Sequence, residues 1–341
     1  MNGLVTPLPA DDPQPDLDDV LAGLRVVAIP MRVRFRGVTV REATLVEGPA
    51  GWGEFSPFLE YEPPEASRWL AAALESAWRG WPEARRDAVP VNATVPAVPA
   101  EQVPAVLARF DGCRTAKVKV AERGQTLADD VRRVAAVRDV MGPDARVRVD
   151  ANGAWDVDQA RDALAALAAY GIEYAEQPCA SVAELKELRL ALARAGIEVP
   201  VAADESIRKA EDPLLVAREE AADLVVVKVA PLGGVRRALE VVRECGLPAV
   251  VSSALDTSVG MAAGVALAAA LPELPFACGL GTVALLEGDV TAEPLTPHGG
   301  ELPVRRIAAH PDLLERWAAP EDRRAWWRER VRSCWAELQR A

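Results

Sequence analysis

Between Leu24 and Phe58 the chain alternates apolar and polar positions in short runs, LRVVAI, MRVRFRG, VREATLVEG and GWGEFSPF, broken by glycines suited to tight turns. A period of two sets one face of a strand against a core and the other toward solvent, so these runs predict a small antiparallel meander. The following PPEASRWLAAALESAWRGW starts with proline and spaces its apolar residues three and four apart, which predicts a helix packed on that meander.

From residue 89 the rhythm changes. Short β-branched runs alternate with stretches rich in Ala, Leu and Arg. The candidate strands are VPVNATVP (89–96), TAKVKVA (115–121), RVRVDAN (146–152), YAEQP (174–178), VAADES (201–206), LVVVKVA (224–230), AVVSSAL (249–255) and FACGLG (276–281). Between them, LADDVRRVAAVRDVM, VDQARDALAALAAY, VAELKELRLALARA and VRRALEVVREC have the helical period and the length to cross back over a parallel sheet. About eight such units predict an α/β fold, a (β/α) barrel of the modified TIM type carrying an α+β capping domain. An open doubly wound sheet gives a similar local rhythm. No GxGxxG follows the first strand, and Gly233-Gly234 alone does not make a dinucleotide site.

The expected organisation is a flexible tail over residues 1–19, rich in Pro and Asp, a capping domain over 20–88, the barrel over 89–300, and a segment over 301–341. That last segment, with Trp317, Trp326, Trp327 and Trp335, is expected to pack back on the cap.

Composition narrows the partners. The 341 residues are 50% hydrophobic, enough for a large core, and 51 acidic against 39 basic residues give a net charge of −12. Such a surface repels phosphates over most approaches, which argues against nucleic acid or an anionic membrane and for a small-molecule partner. No apolar run has the length of a membrane span, and MNGLVTPLPADDPQPDLDD lacks the basic start and apolar stretch of a signal peptide, so a cytoplasmic location is expected. Cys113, Cys179, Cys245, Cys278 and Cys334 show no paired metal-ligand spacing and are expected to be reduced, mostly buried thiols.

In a barrel, reactive groups gather at the C-terminal ends of the strands. Asp150 closes RVRVD, Glu176 lies in YAEQP and Asp204 in VAADES, on three successive strands. Singly, each carboxylate suits a helix cap, a loop or a salt bridge. Together, three facing one pocket repel unless a cation neutralises them, and all-oxygen ligands with room for water and substrate favour Mg²⁺, with Mn²⁺ as a substitute. Lys117 and Lys119 alternate with Val118 and so share an inward face, and Lys228 lies four strands further round, across the barrel from Lys119. Structural ion pairs would use the same residues. A lysine near a cation and other lysines can also act as a base, and a dication on a substrate carboxylate stabilises the enediolate left by proton loss beside it.

Arg148 shares the inward face of Asp150 and is a candidate substrate contact or carboxylate partner. Asn152 and Glu205 are candidate supports behind the ligands. The segment 30–37, with Arg32, Arg34 and Arg36, suits either a lid over the site or an exposed hairpin.

The order KxK, Asp, Glu, Asp, Lys on successive strands, after a cap containing GWGEFSPF, resembles the muconate-lactonizing branch of the enolase superfamily over nearly the whole chain. The resemblance implies that Asp150, Glu176 and Asp204 bind Mg²⁺ and that Lys119 and Lys228 flank the substrate. Within that branch, SSALDTSVGMAAG and CGLGTVALLEGDVT are similar to the actinobacterial o-succinylbenzoate synthases. That similarity implies syn elimination of water from 2-succinyl-6-hydroxy-2,4-cyclohexadiene-1-carboxylate, giving 2-succinylbenzoate on the way to menaquinone. Lys119 would remove the α-proton and then protonate the departing hydroxyl, with Lys228 stabilising the enediolate.

Ser252 and Gly279 match substrate-contacting positions of the family, although structural turns use the same residues. The alternatives are an N-succinylamino acid racemase, a dipeptide epimerase or a muconate cycloisomerase, since two opposed lysines also suit racemization. CGLGT stands where dipeptide epimerases carry Asp-x-Asp, and a catalytically silent scaffold would be expected to have lost a lysine or a carboxylate. Oligomeric state is not fixed by the sequence, and a monomer is compatible with it.

Overall fold

The structure, a computed structural model, describes residues 15–208 and 212–340. Residues 1–14 of the expected tail lie outside the described residues. The end of that tail is helical: Leu17–Ala22 forms one turn and a half, capped by Asp16, whose side chain accepts from the Asp19 N–H. Val20 and Leu21 bury it against the meander.

The meander consists of β1 (Leu24–Phe35), β2 (Val38–Gly48) and β3 (Gly51–Phe55), paired in that order and antiparallel. LRVVAI and MRVRFRG are one strand rather than two, with a register shift between Pro30 and Phe35 where proline contributes no N–H to the ladder. The helix Pro63–Leu74, running on as a wider turn over Glu75–Arg79, lies across β3. Gly53 allows this approach, because a Cβ there would stand 2.1 Å from the Ala73 carbonyl oxygen.

The remaining strands are β4 (Ala88–Pro90), β5 (Ala93–Val95), β6 (Thr115–Lys119), β7 (Arg146–Asp150), β8 (Ile172–Glu176), β9 (Val201–Ala203), β10 (Leu224–Val227), β11 (Ala249–Val251) and β12 (Glu301–Pro303). From β5 to β11 they form one parallel sheet of seven in sequence order. The predicted first strand, 89–96, is divided: β4 pairs antiparallel with β12, and β5 joins the parallel sheet.

The predicted eighth strand, 276–281, is reduced to two single-residue bridges, Cys278 to Val91 and Gly279 to Ser252. Those bridges still close the ring, through Cys278 N–H to Pro90 O (2.7 Å) and Gly279 N–H to Val251 O (2.8 Å).

Helices of the predicted extents alternate with the strands, each opened by a side-chain cap where the sequence offers one: Thr126, Asp156 and Ser181 all form reciprocal capping boxes. The C-terminal helix Glu321–Leu338 returns to the meander, where the buried Trp327 meets Phe55 edge-on at 5.8 Å and donates its indole N–H to Glu42 (2.6 Å). Glu75 ties cap to barrel by accepting the N–H groups of Val235 and Arg236 at the start of the helix Val235–Cys245. Four cysteines are buried and Cys113 is half-buried, all as free thiols.

Candidate active site

Parallel register brings the charged residues to one level. Lys119 pairs with Asp150, Asp150 with Glu176, and Glu176 with Ala202, so Asp204, two residues on, faces the same way as its strand leaves the sheet. Lys228 follows β10 directly, and Ser252 follows β11 at the same height. All three carboxylates are nearly inaccessible, at 1%, 1% and 0% exposure for Asp150, Glu176 and Asp204.

The lysines and carboxylates interlock. Lys117 donates to both oxygens of Glu176 (2.8 and 2.9 Å) and lies 3.2 Å from Asp150. Lys119 donates to Asp150 and to the Asn152 side-chain oxygen (2.6 Å), and Lys228 donates to Asp204. Burial pushes the Glu176 carboxyl up to about 7, reinforced by the like charge of Asp150 and only partly opposed by Lys117. Asp150 is also raised by burial, but Lys119 and Lys117 outweigh this and hold it well below the usual carboxylate range. Lys117 is raised despite burial, because Glu176 and Asp150 hold its proton.

Lys117, Lys119, Asp150, Asn152, Lys228, Ser252 and Gly279 line one pocket, closed from the cap side by Phe35, Arg36 and Phe58. Gly279 has to be small, since a Cβ would stand 2.5 Å from the Ser252 hydroxyl. Asn152 also donates to Glu205 (3.2 Å), behind the pocket. Arg148 lies elsewhere. It is fully buried toward the opposite end of the barrel, paired with Glu173, donating to the Ala277 carbonyl (2.6 Å) and stacked on Tyr174 at 4.7 Å. It fills the barrel interior rather than facing substrate. Arg32 and Arg34 are exposed on the outer side of β1, and only Arg36 turns inward.

Three buried cap and loop residues are absent from the sequence-based site: Arg41, Glu54 and Asp256. Arg41 donates to the carbonyls of Leu255 (3.0 Å), Ala254 (3.2 Å) and Ser56. Glu54 accepts from Thr257 N–H (3.1 Å), Thr257 Oγ1 (2.6 Å), Gly260 N–H (3.0 Å) and Ser56 Oγ (2.7 Å). Together they clamp the loop that follows β11. The signal for Arg41 and Glu54 was a charged residue on the apolar phase of a strand, in VREAT and GWGEF. Gln177 is a similar omission: its side-chain oxygen accepts the Asp204 N–H (2.8 Å) and its amide donates to Ser206 Oγ (2.8 Å), fixing the turn that carries Asp204.

Among the described residues no three carboxylates are drawn together in ligation geometry; each leans on a lysine instead. The donor set nevertheless fits a hard divalent cation. It consists of three carboxylates on adjacent strand ends, one of them raised to about 7 by burial and by its neighbours. A cation would relieve that repulsion.

A ring of parallel strands bearing three adjoining carboxylates between opposed lysines, under an α+β cap, defines an enolase-type enzyme. The chain belongs to the enolase superfamily: family models for the enolase C-terminal domain-like and N-terminal domain-like regions match residues 100–308 and 26–77. In fold it is similar to muconate lactonizing enzyme from Pseudomonas fluorescens (TM-score 0.73, 22% identity, 87% of this chain and 98% of that one). It is also similar to N-succinyl Arg/Lys racemase from Bacillus cereus (TM-score 0.71, 18% identity, 87% and 97%). Sequence narrows the family further. The chain is 62% identical to o-succinylbenzoate synthase of Mycolicibacterium smegmatis over 94% of its length and 98% of that protein's. It is 58% identical to the synthase of Mycobacterium tuberculosis over 95% and 97%. Within the superfamily it belongs with the o-succinylbenzoate synthases.

Proposed function

We propose that this chain eliminates water from 2-succinyl-6-hydroxy-2,4-cyclohexadiene-1-carboxylate to give 2-succinylbenzoate, a step toward menaquinone, with Lys119 as the base. The observation that carries the reading is the position of Lys119 and Lys228. They stand at the ends of β6 and β10, four places apart in a ring of eight, and both line one pocket.

Lys119, as the neutral amine, takes the proton from the ring carbon that bears the carboxylate. The resulting ammonium then gives that proton to the departing hydroxyl on the same face, and the ring becomes aromatic as water leaves. Lys228, kept as the ammonium, stabilises the enediolate from the other side. Lys117 is a less suitable base because it donates to both oxygens of Glu176 (2.8 and 2.9 Å), a contact Lys119 does not make, and Glu176 is the main group holding its proton. A divalent cation held by Asp150, Glu176 and Asp204, Mg²⁺ in this reading with Mn²⁺ as a substitute, supplies positive charge beside the substrate carboxylate.

Ser252 and Gly279 border the ring, and Asn152 and Glu205 steady Lys119 and the strand ends. Residues 20–88 with 301–341 act as the cap, and 89–300 as the catalytic barrel. No helix among the described residues is long and apolar enough to cross a membrane, and we assign the enzyme to the cytoplasm, acting on a small carboxylate.

The test is to mix the purified protein with the cyclohexadiene substrate, with Mg²⁺ or with a chelator, and to follow the aromatic product by its ultraviolet absorbance. Fast, Mg²⁺-dependent aromatization is expected. Folded, metal-loaded protein that leaves the substrate unchanged would overturn the assignment.

A further inference from the structure

Positively charged side chains stand at both ends of the pocket. Its inner end holds Lys117, Lys119 and Lys228, each already in contact with a carboxylate. Its cap-side rim holds Arg36, which differs from them. Arg36 sits at the hairpin turn between β1 and β2, in a left-handed conformation (φ 51°) that is uncommon for a residue other than glycine. That turn carries its side chain back over the pocket, whereas the two preceding arginines of β1 point outward. Its guanidinium stacks on Phe58 at 4.9 Å, and its closest carboxylate, Glu205, stands 3.9 Å away, too far for a hydrogen bond. Contact with the Phe58 ring restrains the guanidinium at the rim, where its N–H groups make no hydrogen bond among the described residues. Between rim and floor, Phe35, Phe58 and Leu255 supply apolar walls.

A pocket with lysines at the floor, a guanidinium at the rim and apolar walls between suits a ligand with two carboxylates separated by an apolar body. The geometry points to Arg36 as a specificity-determining residue that binds the second carboxylate of the substrate, the one on the flexible arm distant from the reacting carbon. This inference rests on the proposed function for the identity of that arm, the succinyl chain. An arginine fork on a carboxylate forms two parallel charge-assisted hydrogen bonds, worth roughly tenfold to hundredfold in affinity at a partly exposed site.

The experiment measures binding of two ligands by calorimetry, on the Mg²⁺-loaded wild type and on Arg36→Gln. One ligand is 2-succinylbenzoate. The other is 2-butyrylbenzoate, which keeps the ring carboxylate and the ketone and replaces the distal carboxylate by a methyl group. The wild type is expected to bind the diacid at least tenfold more tightly, and Arg36→Gln to lose that preference while holding 2-butyrylbenzoate within about twofold. Arg36→Lys should recover only part of it, because an ammonium cannot form the fork.

Equal weakening of both ligands, no weakening of either, or failure of the wild type to prefer the diacid would overturn the inference. Thermal unfolding of the variants at the wild-type temperature separates a lost contact from a lost fold. Failure of the functional reading is seen separately, as wild-type protein that does not aromatize the cyclohexadiene.

Discussion

Replacing Arg41 by Met tests whether the cap holds the active-site loop in place. Arg41 is buried among three carbonyls, those of Ser56, Ala254 and Leu255, and its charge faces Glu54 and Asp256. Burial lowers its pKa, and those two carboxylates oppose the shift. Methionine fills much of the same volume but leaves three acceptors without their donor and two buried carboxylates without a counter-charge. Breaking a buried charged network in this way costs about 3–5 kcal/mol. With an unfolding entropy of about 2.1 cal/mol/K per residue, 341 residues give roughly 0.7 kcal/mol/K, so the melting temperature should fall by about 4–7 °C.

Differential scanning calorimetry on the metal-loaded protein reads this directly. The double variant Arg41→Met/Glu54→Gln should lose less than the sum of the two singles, because it also removes one of the stranded charges. Ala254 and Leu255 line the pocket, so kcat/KM should fall as well. A melting temperature lowered by less than about 1 °C, or strictly additive losses, would refute the clamp.

Lys119→Ala should abolish aromatization while leaving the unfolding temperature and metal binding close to wild type; near-normal turnover would reject Lys119 as the base. Asp204→Asn should weaken Mg²⁺ binding at least tenfold by titration calorimetry, and an unchanged affinity would count against the three-carboxylate site. Burial and the neighbouring Asp256 raise Glu54 from 4.5 to about 7. The folded state therefore holds that proton more tightly than the unfolded chain. This contribution is complete below about pH 4.5 and lost as pH rises through 7. With 1.36 kcal/mol per unit over about 2.5 units, the stability of wild type relative to Glu54→Gln should decline by about 3 kcal/mol between pH 4.5 and 7, measured by urea unfolding. A flat difference would show Glu54 to be ionised throughout.

The barrel was legible because its signals are local. Strands of β-branched residues, capped helices and charges late in each strand can all be counted along the chain, and Asp150, Glu176, Asp204, Lys117, Lys119 and Lys228 stand out by strand alternation together with their place toward the strand ends. The reading weakened where alternation stops being informative. Arg148 obeys the same parity as Asp150 and stands level with Lys117, but Lys117 reaches toward the mouth to Glu176 while the Arg148 side chain turns the other way, to Glu173 in the packed interior beside Tyr174 and Phe276. Parity gives the face of a strand and says nothing of depth. The eighth strand failed for a different reason. Gly279 and Gly281 lie in a segment whose two bridges are to Val91 and Ser252, residues more than twenty positions away, so no local pattern announces how little of it pairs. Arg41 and Glu54 are marked locally by a charge on the apolar phase of a strand, but the loop that satisfies them lies two hundred residues later.

Backbone conformation joins these long-range contacts to the site. Where β7, β8 and β11 give way to loops, the chain turns through non-glycine residues with positive φ: Asn152 at 48°, Gln177 at 38° and Leu255 at 65°. Each such residue costs of order 1 kcal/mol and persists only where its surroundings hold it. In every case the restraint acts on a group of the site. Asn152 is held between Lys119 and Glu205, Gln177 grips the Asp204 and Ser206 backbone, and the Leu255 carbonyl is held by Arg41. Glycine would relieve the strain at these positions, but it would also remove the Asn152 and Gln177 side chains that aim Lys119 and Asp204. Two of the strained turns are thus restrained from within the barrel and the third by the cap. The cap therefore does more than cover the pocket, because part of the pocket wall takes its shape from an arginine on the meander.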